Sequence, residues 1–409
     1  MRRVVVTGLG IVAPTGNDVE SAWNSALQCR SGVDRISLFD PSALTVQIAA
    51  EVKEFDATTI MDAKVARQSS RFVQFTASAA RQAIQASGID LSQDPDRNGC
   101  IIGVGLGAFG EIESDAHVFK EKGPRRVSPL LLPYAIPNMA AGFVSIAEGL
   151  RGPSFCTATA CASGTHAIGE AYMHIAIGTA DVIVTGGAEA AISPLSVASF
   201  AQMRALSTCN DAPQVASRPF DLNRDGFVMG EGAGILVLEE FEQAKRRGAP
   251  ILAEIIGYGM SADAYHITMP PPEGQGMARC LAATLRSAAI PPESVDYINA
   301  HGTSTSANDV LESAAIEVVF GDHARKLSVS STKGVTGHCL GAAGGIEAAY
   351  TVLAIQRGIV PPTANLHTPD PKCRLDYTPN TPRDRKIQIA LSNSCGFGGQ
   401  NACVAFRKC

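Results

Sequence analysis

One cysteine and two histidines are the residues of this chain best placed to do chemistry. Cys161 lies in Cys156-Thr157-Ala158-Thr159-Ala160-Cys161-Ala162-Ser163-Gly164, where a strand-like Thr/Ala run meets a helix of small residues. A thiol at a helix start gains from the dipole and the free N–H groups, which favour the thiolate. The small residues that follow leave room for a substrate. Most of the 11 cysteines are expected to be small core residues, and Cys161 alone does not depart from that. The histidines change the balance. His301-Gly302-Thr303-Ser304-Thr305 follows the strand Asp296–Ala300, and Lys333-Gly334-Val335-Thr336-Gly337-His338 follows Ser328–Thr332. Two histidines released from strand ends into Gly- and hydroxyl-rich loops are placed for site chemistry rather than packing. A metal centre is not expected, because no close carboxylate, His or Cys spacing supports one. Near the end, Asn393-Ser394-Cys395-Gly396-Phe397-Gly398-Gly399-Gln400-Asn401 separates two strands. Its three glycines free backbone N–H groups for an oxyanion or a moving gate. A plain hairpin turn is the alternative.

Two other patterns imitate known sites. Gly105-Leu106-Gly107-Ala108-Phe109-Gly110 follows a strand and fits a dinucleotide fingerprint. The acidic residue expected about 20 positions on is missing, since Glu111, Glu113 and Asp115 come too early. A tight turn is the better reading. Asp221-Leu222-Asn223-Arg224-Asp225-Gly226 starts like a calcium loop, but Gly232 stands where the bidentate glutamate belongs.

The elements that position these residues read as an α/β chain. Of 409 residues, 45% are apolar and 18% charged, against about 25% charged in an average protein. That balance implies a large core and excludes disorder. A net charge of −5 argues against nucleic acid as a partner. Strands are predicted at Arg3–Thr7, Gly99–Val104, Asp181–Gly186, Ala233–Leu238, Ile251–Gly257, Val295–Ala300, Leu327–Ser330, Ile387–Ser392 and Ala402–Phe406. Helices are predicted at Ser69–Ser87, Ala162–Ile177, Met277–Ala288, Asp309–Phe320 and Gly344–Gln356. Two of them open alike, with Ala162-Ser163-Gly164-Thr165-His166-Ala167 and Ala343-Gly344-Gly345-Ile346-Glu347-Ala348. This suggests two related halves, 1–250 and 251–409, joined at the turn Arg246–Pro250. Met1–Gly8 reads as a strand rather than a targeting segment. Prolines break the uncharged stretch Ser128–Ala147, so no membrane span is expected. Scattered cysteines without a secretion signal fit a reducing, cytoplasmic setting.

Taken together, the chain resembles the β-ketoacyl-[acyl-carrier-protein] synthases, the type II elongating class of the thiolase superfamily. The likeness rests on Val4-Val5-Val6-Thr7-Gly8-Leu9-Gly10, Thr159 to Gly164, Arg218-Pro219-Phe220-Asp221, Asp225-Gly226-Phe227-Val228, His301 to Thr305, Lys333 to His338, and Gly396-Phe397-Gly398-Gly399. It implies a duplicated five-layer α/β/α/β/α fold, a homodimer and a Cys-His-His site with no cofactor. Cys161 would carry the acyl chain, with the N–H groups of Cys161 and Phe397 as oxyanion hole and Phe397 as gate. His301 and His338 would stabilise the enolate formed when malonyl-carrier loses CO₂, supported by Lys333 and Glu347. Thiolases instead use a second Cys, and the initiating synthases a His-Asn pair. Leu106 and Phe200 match acyl-pocket positions. Lys64, Arg67, Arg125, Arg126 and Arg204 match a patch that receives the acidic carrier protein. The implied reaction is decarboxylative condensation of acyl- and malonyl-carrier in fatty-acid elongation. The same chemistry in a specialised lipid or secondary-metabolite pathway, or a non-catalytic partner subunit, are the alternatives. Cys395 stands where the family pattern has Phe, and Gln400 where it has Thr or His; the smaller Cys395 side chain is expected to loosen the gate or reshape the pocket.

Overall fold

The apolar runs pair into one ten-stranded sheet in the computed structural model, which describes residues 1–409. Its strands are β1 (Val4–Val12), β2 (Asn98–Val104), β3 (Ser154–Thr157), β4 (Val182–Glu189) and β5 (Gly232–Glu240). They continue as β6 (Ala253–Ala262), β7 (Tyr297–Asn299), β8 (Ser328–Ser330), β9 (Ile389–Gly396) and β10 (Gln400–Arg407). The order across the sheet is β8-β7-β9-β10-β6-β1-β5-β4-β2-β3. Outward from β1, the pairings to β5 and β4 are antiparallel and those to β2 and β3 parallel. Outward from β6, the pairings to β10 and β9 are antiparallel and those to β7 and β8 parallel. The same five-strand unit is therefore built twice. The units share one ladder because Val4–Val6 pair with Ala253–Ile255.

Five helices complete the layers: α1 (Arg71–Ser87), α2 (Ser163–Ala176), α3 (Gln275–Ala288), α4 (Asn308–Phe320) and α5 (Ala343–Arg357). Strand alternation explains how both faces of the sheet are covered. In β5, Ile235 and Val237 join an outer core with Phe72 and Phe75 of α1. Leu236 and Leu238 face the other way, into a central core with Ile168 of α2 and Ile346 of α5. A third core packs Leu281 of α3 and Ile316 of α4 against Ile298 and Leu391. The result is a thiolase-like α/β/α/β/α stack with α2 and α5 in the middle.

The central helices are small-sided because they touch backbone on nearly every side. A Cβ on Gly345 would lie 2.1 Å from the Gly234 carbonyl oxygen and 2.5 Å from the Gly187 nitrogen. Each central helix begins with a 3₁₀ turn, Ala160–Ala162 before α2 and Leu340–Ala342 before α5. The first residue of each turn has positive φ, 51° at Ala160 and 48° at Leu340. The structural repeat thus sets Ala162 against Ala342, one residue out of step with the sequence match.

Several elements differ from the sequence reading. β1 runs on to Val12 although Gly8 and Gly10 look like breakers; a Cβ at either would collide with the α1 carbonyls of Ala83 and Ala79. The helix Phe109–Lys122 was not predicted because it has no buried stripe to create a period. The short helix Val19–Leu27, capped by the Asp18 side chain, was also missed. Ser128–Ala147 contains the helix Leu131–Ala135 and most of the helix Met139–Glu148. No helix is long and apolar enough to cross a membrane.

Gly345→Ala should lower unfolding free energy by about 2 kcal/mol or more through overpacking. Gly142→Ala, on an open helix face, should instead raise it by up to about 1 kcal/mol. Urea unfolding of the two variants against wild type checks both signs.

Candidate active site

Cys161 sits on a sharp elbow. The positive φ of Ala160 is costly for a residue with a Cβ. Ser163 holds it in place, its Oγ accepting from the Thr159 N–H (2.9 Å) and donating to the Ala160 carbonyl (2.6 Å). The glycine-rich segment 396–399 is the tip of the β9–β10 hairpin, with Gly396 opposite Gln400. Gly396 has no room for a side chain, since a Cβ would lie 2.5 Å from the Thr159 carbonyl oxygen and 3.2 Å from the Cys161 nitrogen. That approach sets the hairpin tip against Cys161, and the N–H groups of Phe397 and Cys161 favour the charged form of its sulfur. Two convergent N–H donors beside a nucleophile can hold an oxyanion.

Both histidines arrive from the second five-strand unit. The N–H groups of His301 and Gly302 donate to Glu312 of α4 at 2.7 and 2.8 Å, and Asn393 Nδ2 donates to the same carboxylate at 2.7 Å. His338 follows the short helix Lys333–Thr336, and its N–H donates to the Val228 carbonyl at 2.7 Å. The two rings meet edge to face, centroids 5.2 Å apart at 87°. Nδ1 of each ring is buried without a partner. Placing the proton on Nε2 avoids burying an unpaired N–H, so each ring offers Nε2–H as its working edge. Burial first, and then the charge of Lys333, holds both rings well below the usual histidine range, so both are neutral. The Lys333 ammonium is itself buried against the Glu347 carboxylate of α5. Burial raises Glu347 against the pull of Lys333.

One expectation is overturned here. Burial pushes the Cys161 thiol up to about 12, and Lys333 and the two N–H groups offset only part of that. The free enzyme therefore rests as a thiol, because desolvating a sulfur anion outweighs the helix start.

Cys161, His301 and His338 line one cavity of about 500 Å³. Leu106, Phe200, Phe397, Cys395 and Arg204 line it too. Aromatic rings run from the tip inward: Phe397 lies 6.4 Å from Phe200, Phe200 5.5 Å from Phe227, and Phe227 5.3 Å from His338. The hairpin tip is latched to the 262–271 loop, with the Gly398 N–H donating to the Ile267 carbonyl and the Asp263 N–H to the Gly399 carbonyl. Of the five basic residues, Lys64, Arg67, Arg125 and Arg126 are exposed on other short elements, and Arg204 alone reaches the cavity. The dinucleotide-like turn has its N–H groups filled by Glu189. In the calcium-like loop, Asp221 accepts from the N–H groups of Asn223, His367 and Thr368, and Asp225 from Ser207 and Thr208. Sequence reasoning missed Glu189 and Glu312. The second had a signal, two acidic residues three apart, Asp309 and Glu312, on the buried side of an apolar helix.

A doubled five-strand unit, with a cysteine elbow from one copy and paired histidines from the other, defines a thiolase-like protein. The chain matches the family described as Beta-ketoacyl synthase, N-terminal domain, over residues 1–244, and Beta-ketoacyl synthase, C-terminal domain, over residues 252–367. A 3-oxoacyl-[acyl-carrier-protein] synthase 2 of Coxiella burnetii is 51% identical over 408 residues, covering 100% of this chain and 99% of that protein. One from Synechocystis is 50% identical, covering 100% and 98%. A beta-ketoacyl synthase structure from Burkholderia phymatum superposes with a TM-score of 0.93 at 35% identity, covering 100% of both chains. A type II PKS acyl-carrier protein in complex with its ketosynthase bound to the hexaketide gives 0.92 at 38%, covering 100% and 99%. The chain belongs to the beta-ketoacyl synthase family.

The neutral histidines have a consequence for stability. Unfolding frees them to take up protons below about pH 6.5, so the unfolded state binds more protons there and stability is lost as pH falls. Glu189, pushed up to about 7 by burial, acts in the opposite sense. The histidine contribution is therefore read as a difference. Relative to wild type, His301→Gln should be less destabilising at about pH 5 than at about pH 7.5 in urea unfolding.

Proposed function

We propose that this chain is an acyltransferase that condenses an acyl-[acyl-carrier protein] with malonyl-[acyl-carrier protein] in fatty-acid elongation. The products are the β-ketoacyl-carrier, CO₂ and free carrier protein. The observation that carries the reading is the meeting of two buried, neutral histidines at the cavity onto which Cys161 opens. The reaction builds negative charge on oxygen three times, and the site offers one pair of N–H donors for both tetrahedral oxyanions and another for the enolate.

In the first half, the Cys161 sulfur attacks the acyl thioester, and the tetrahedral oxyanion is held by the N–H groups of Cys161 and Phe397. The Cys161 proton passes to the carrier sulfur, which leaves as a thiol, and acyl-Cys161 remains. In the second half, malonyl-carrier places its thioester oxygen between the Nε2–H groups of His301 and His338. Loss of CO₂ leaves its electron pair as an enolate on that oxygen, in the field of Lys333. The enolate carbon then attacks the acyl-Cys161 carbonyl, the same two N–H groups hold the second oxyanion, and Cys161 departs as a thiolate that takes up a proton from water to return to the resting thiol. Neutral rings suit this role, since each keeps one N–H to donate without a fixed charge that would attract the malonyl carboxylate to the wrong place. Glu347 holds Lys333, and the charge of Lys333 adds to burial in keeping the rings neutral.

Leu106 and Phe200 serve as acyl-pocket walls and Phe397 as the gate. Lys64, Arg67, Arg125, Arg126 and Arg204 form the surface that attracts an acidic carrier protein, a salt-sensitive attraction. Residues 1–250 and 251–409 act as two units, one bringing the nucleophile and the other both histidines. A homodimer is supported by β3, whose outer edge is unpaired, and by Leu132 and Ile146, 71% and 81% exposed. Eleven unpaired thiols fit a reducing cytoplasm. Cys395 at the cavity keeps open a second reading, the same chemistry on a different acyl range in a specialised pathway.

Intact-protein mass spectra test the assignment. Acyl-carrier should add one acyl mass to wild type and none to Cys161→Ala. Malonyl-carrier should discharge it as β-ketoacyl product, and His301→Ala or His338→Ala should slow that step ~10²-fold or more. Acyl loss by hydrolysis alone would overturn the condensing role, and no acylation from any donor would favour a non-catalytic subunit. A series of acyl lengths separates the housekeeping from the specialised reading. Ile146→Glu should convert a dimer to monomer in analytical ultracentrifugation.

A further inference from the structure

Glu189 ends β4 at the cavity, and its side chain is fully buried. Its partners are backbone N–H groups rather than a cation. Oε2 accepts from Gly105 (3.0 Å), Leu106 (3.1 Å) and Gly341 (3.1 Å); Oε1 accepts from Leu106 (3.1 Å) and Gly107 (2.9 Å). The Gly105–Gly107 turn, built like a phosphate cradle, is thus filled by the protein's own carboxylate. Gly341 comes from the other unit, in the turn that opens α5. The two backbones touch, since a Cβ on Gly341 would lie 2.3 Å from the Gly105 nitrogen and 2.9 Å from Glu189 Oε2.

What these anchors hold is the cavity wall. Leu106 sits inside the first anchor and Leu340 immediately before the second, and both line the cavity beside Cys161. Burying a carboxylate without a cation is expensive. Here the cost is met next to the nucleophile, with every acceptor spent on backbone that shapes its surroundings.

We infer that Glu189 is a positioning residue of this site: it clamps Leu106 and Leu340 as two walls of the acyl chamber. The chamber's acyl role rests on Cys161 being the acyl acceptor; the clamp itself does not.

Two variants separate shape from charge. Glu189→Gln keeps the size but removes the charge and turns a donor toward N–H groups. Glu189→Asp keeps the charge and withdraws it from the cradle. For each, the rate of iodoacetamide alkylation at Cys161 is followed by peptide mass at one pH, alongside acyl uptake from acyl-carrier. Both E189Q and E189D should be alkylated several-fold faster, as the loosened walls admit the reagent, and should take up acyl groups at least ~10-fold more slowly, in E189D chiefly through a higher KM. Because E189D keeps the charge, slow uptake there assigns the effect to the clamp. Wild-type uptake in E189D would overturn the inference, whether or not E189Q folds. Faster alkylation of the variants, with no acyl uptake by any chain including wild type, would remove the acyl-acceptor reading while upholding the clamp.

Discussion

Backbone-to-backbone contact between α2 and α5 is the constraint on which the rest of this molecule depends. A Cβ on Gly164 would lie 2.8 Å from the Gly345 nitrogen, and one on Gly344 2.5 Å from the Thr165 nitrogen. Helices this close cannot slide or rotate against each other without collision. Because Cys161 precedes α2 and His338 closely precedes α5, their closeness sets the spacing between the Cys161 thiol and the His338 imidazole. The five-strand units then serve as rigid flanks that hold the helix starts in register. A cavity at the junction of two repeats needs such a contact, since the thiol comes from one unit and both imidazoles from the other.

Burial dictates the electrostatics. Glu189, Glu312 and Glu347 are all sealed from water around the cavity, and each is answered in a different way. Glu312 spends its oxygens on the His301 loop and Asn393, and Glu347 is matched by Lys333. Glu189 relies on backbone alone. Two carboxylates so become scaffolding for loops that have no regular structure of their own. The cations are equally economical: Lys333 is the charge that reaches Cys161 and both rings, lowering all three. One ammonium therefore acts on the whole site, second only to burial, which is why its pairing with Glu347 matters more than an ordinary buried ion pair.

How much of this was legible in the sequence depends on range. β4, β5, α1 and α4 show in their own residues, because strands buried on both faces and a helix with an apolar stripe carry their pattern locally. Cys161, His301 and His338 stand out for the glycines and hydroxyls around them, and the Lys333–Glu347 pairing entered only through the family likeness. Glu189 was invisible because its partner Gly107 lies 82 residues away, and no window links a strand-end carboxylate to a distant turn. The thiolate expectation for Cys161 failed for a related reason. A nine-residue segment displays the helix start but not the depth at which folding places it, and depth decided the sign.

The twin 3₁₀ turns bear on how an asymmetric site can sit in a doubled fold. Ala160 and Leu340 begin them with the same left-handed backbone, so Cys161 and Gly341 occupy equivalent places in the two units. One carries the sulfur; the other carries nothing but an N–H, given to Glu189. The copies have divided their labour, reactant on one side and retaining wall on the other, with identical hinges beneath them. Such a chamber inherits its symmetry from the chain and its direction from a single missing side chain.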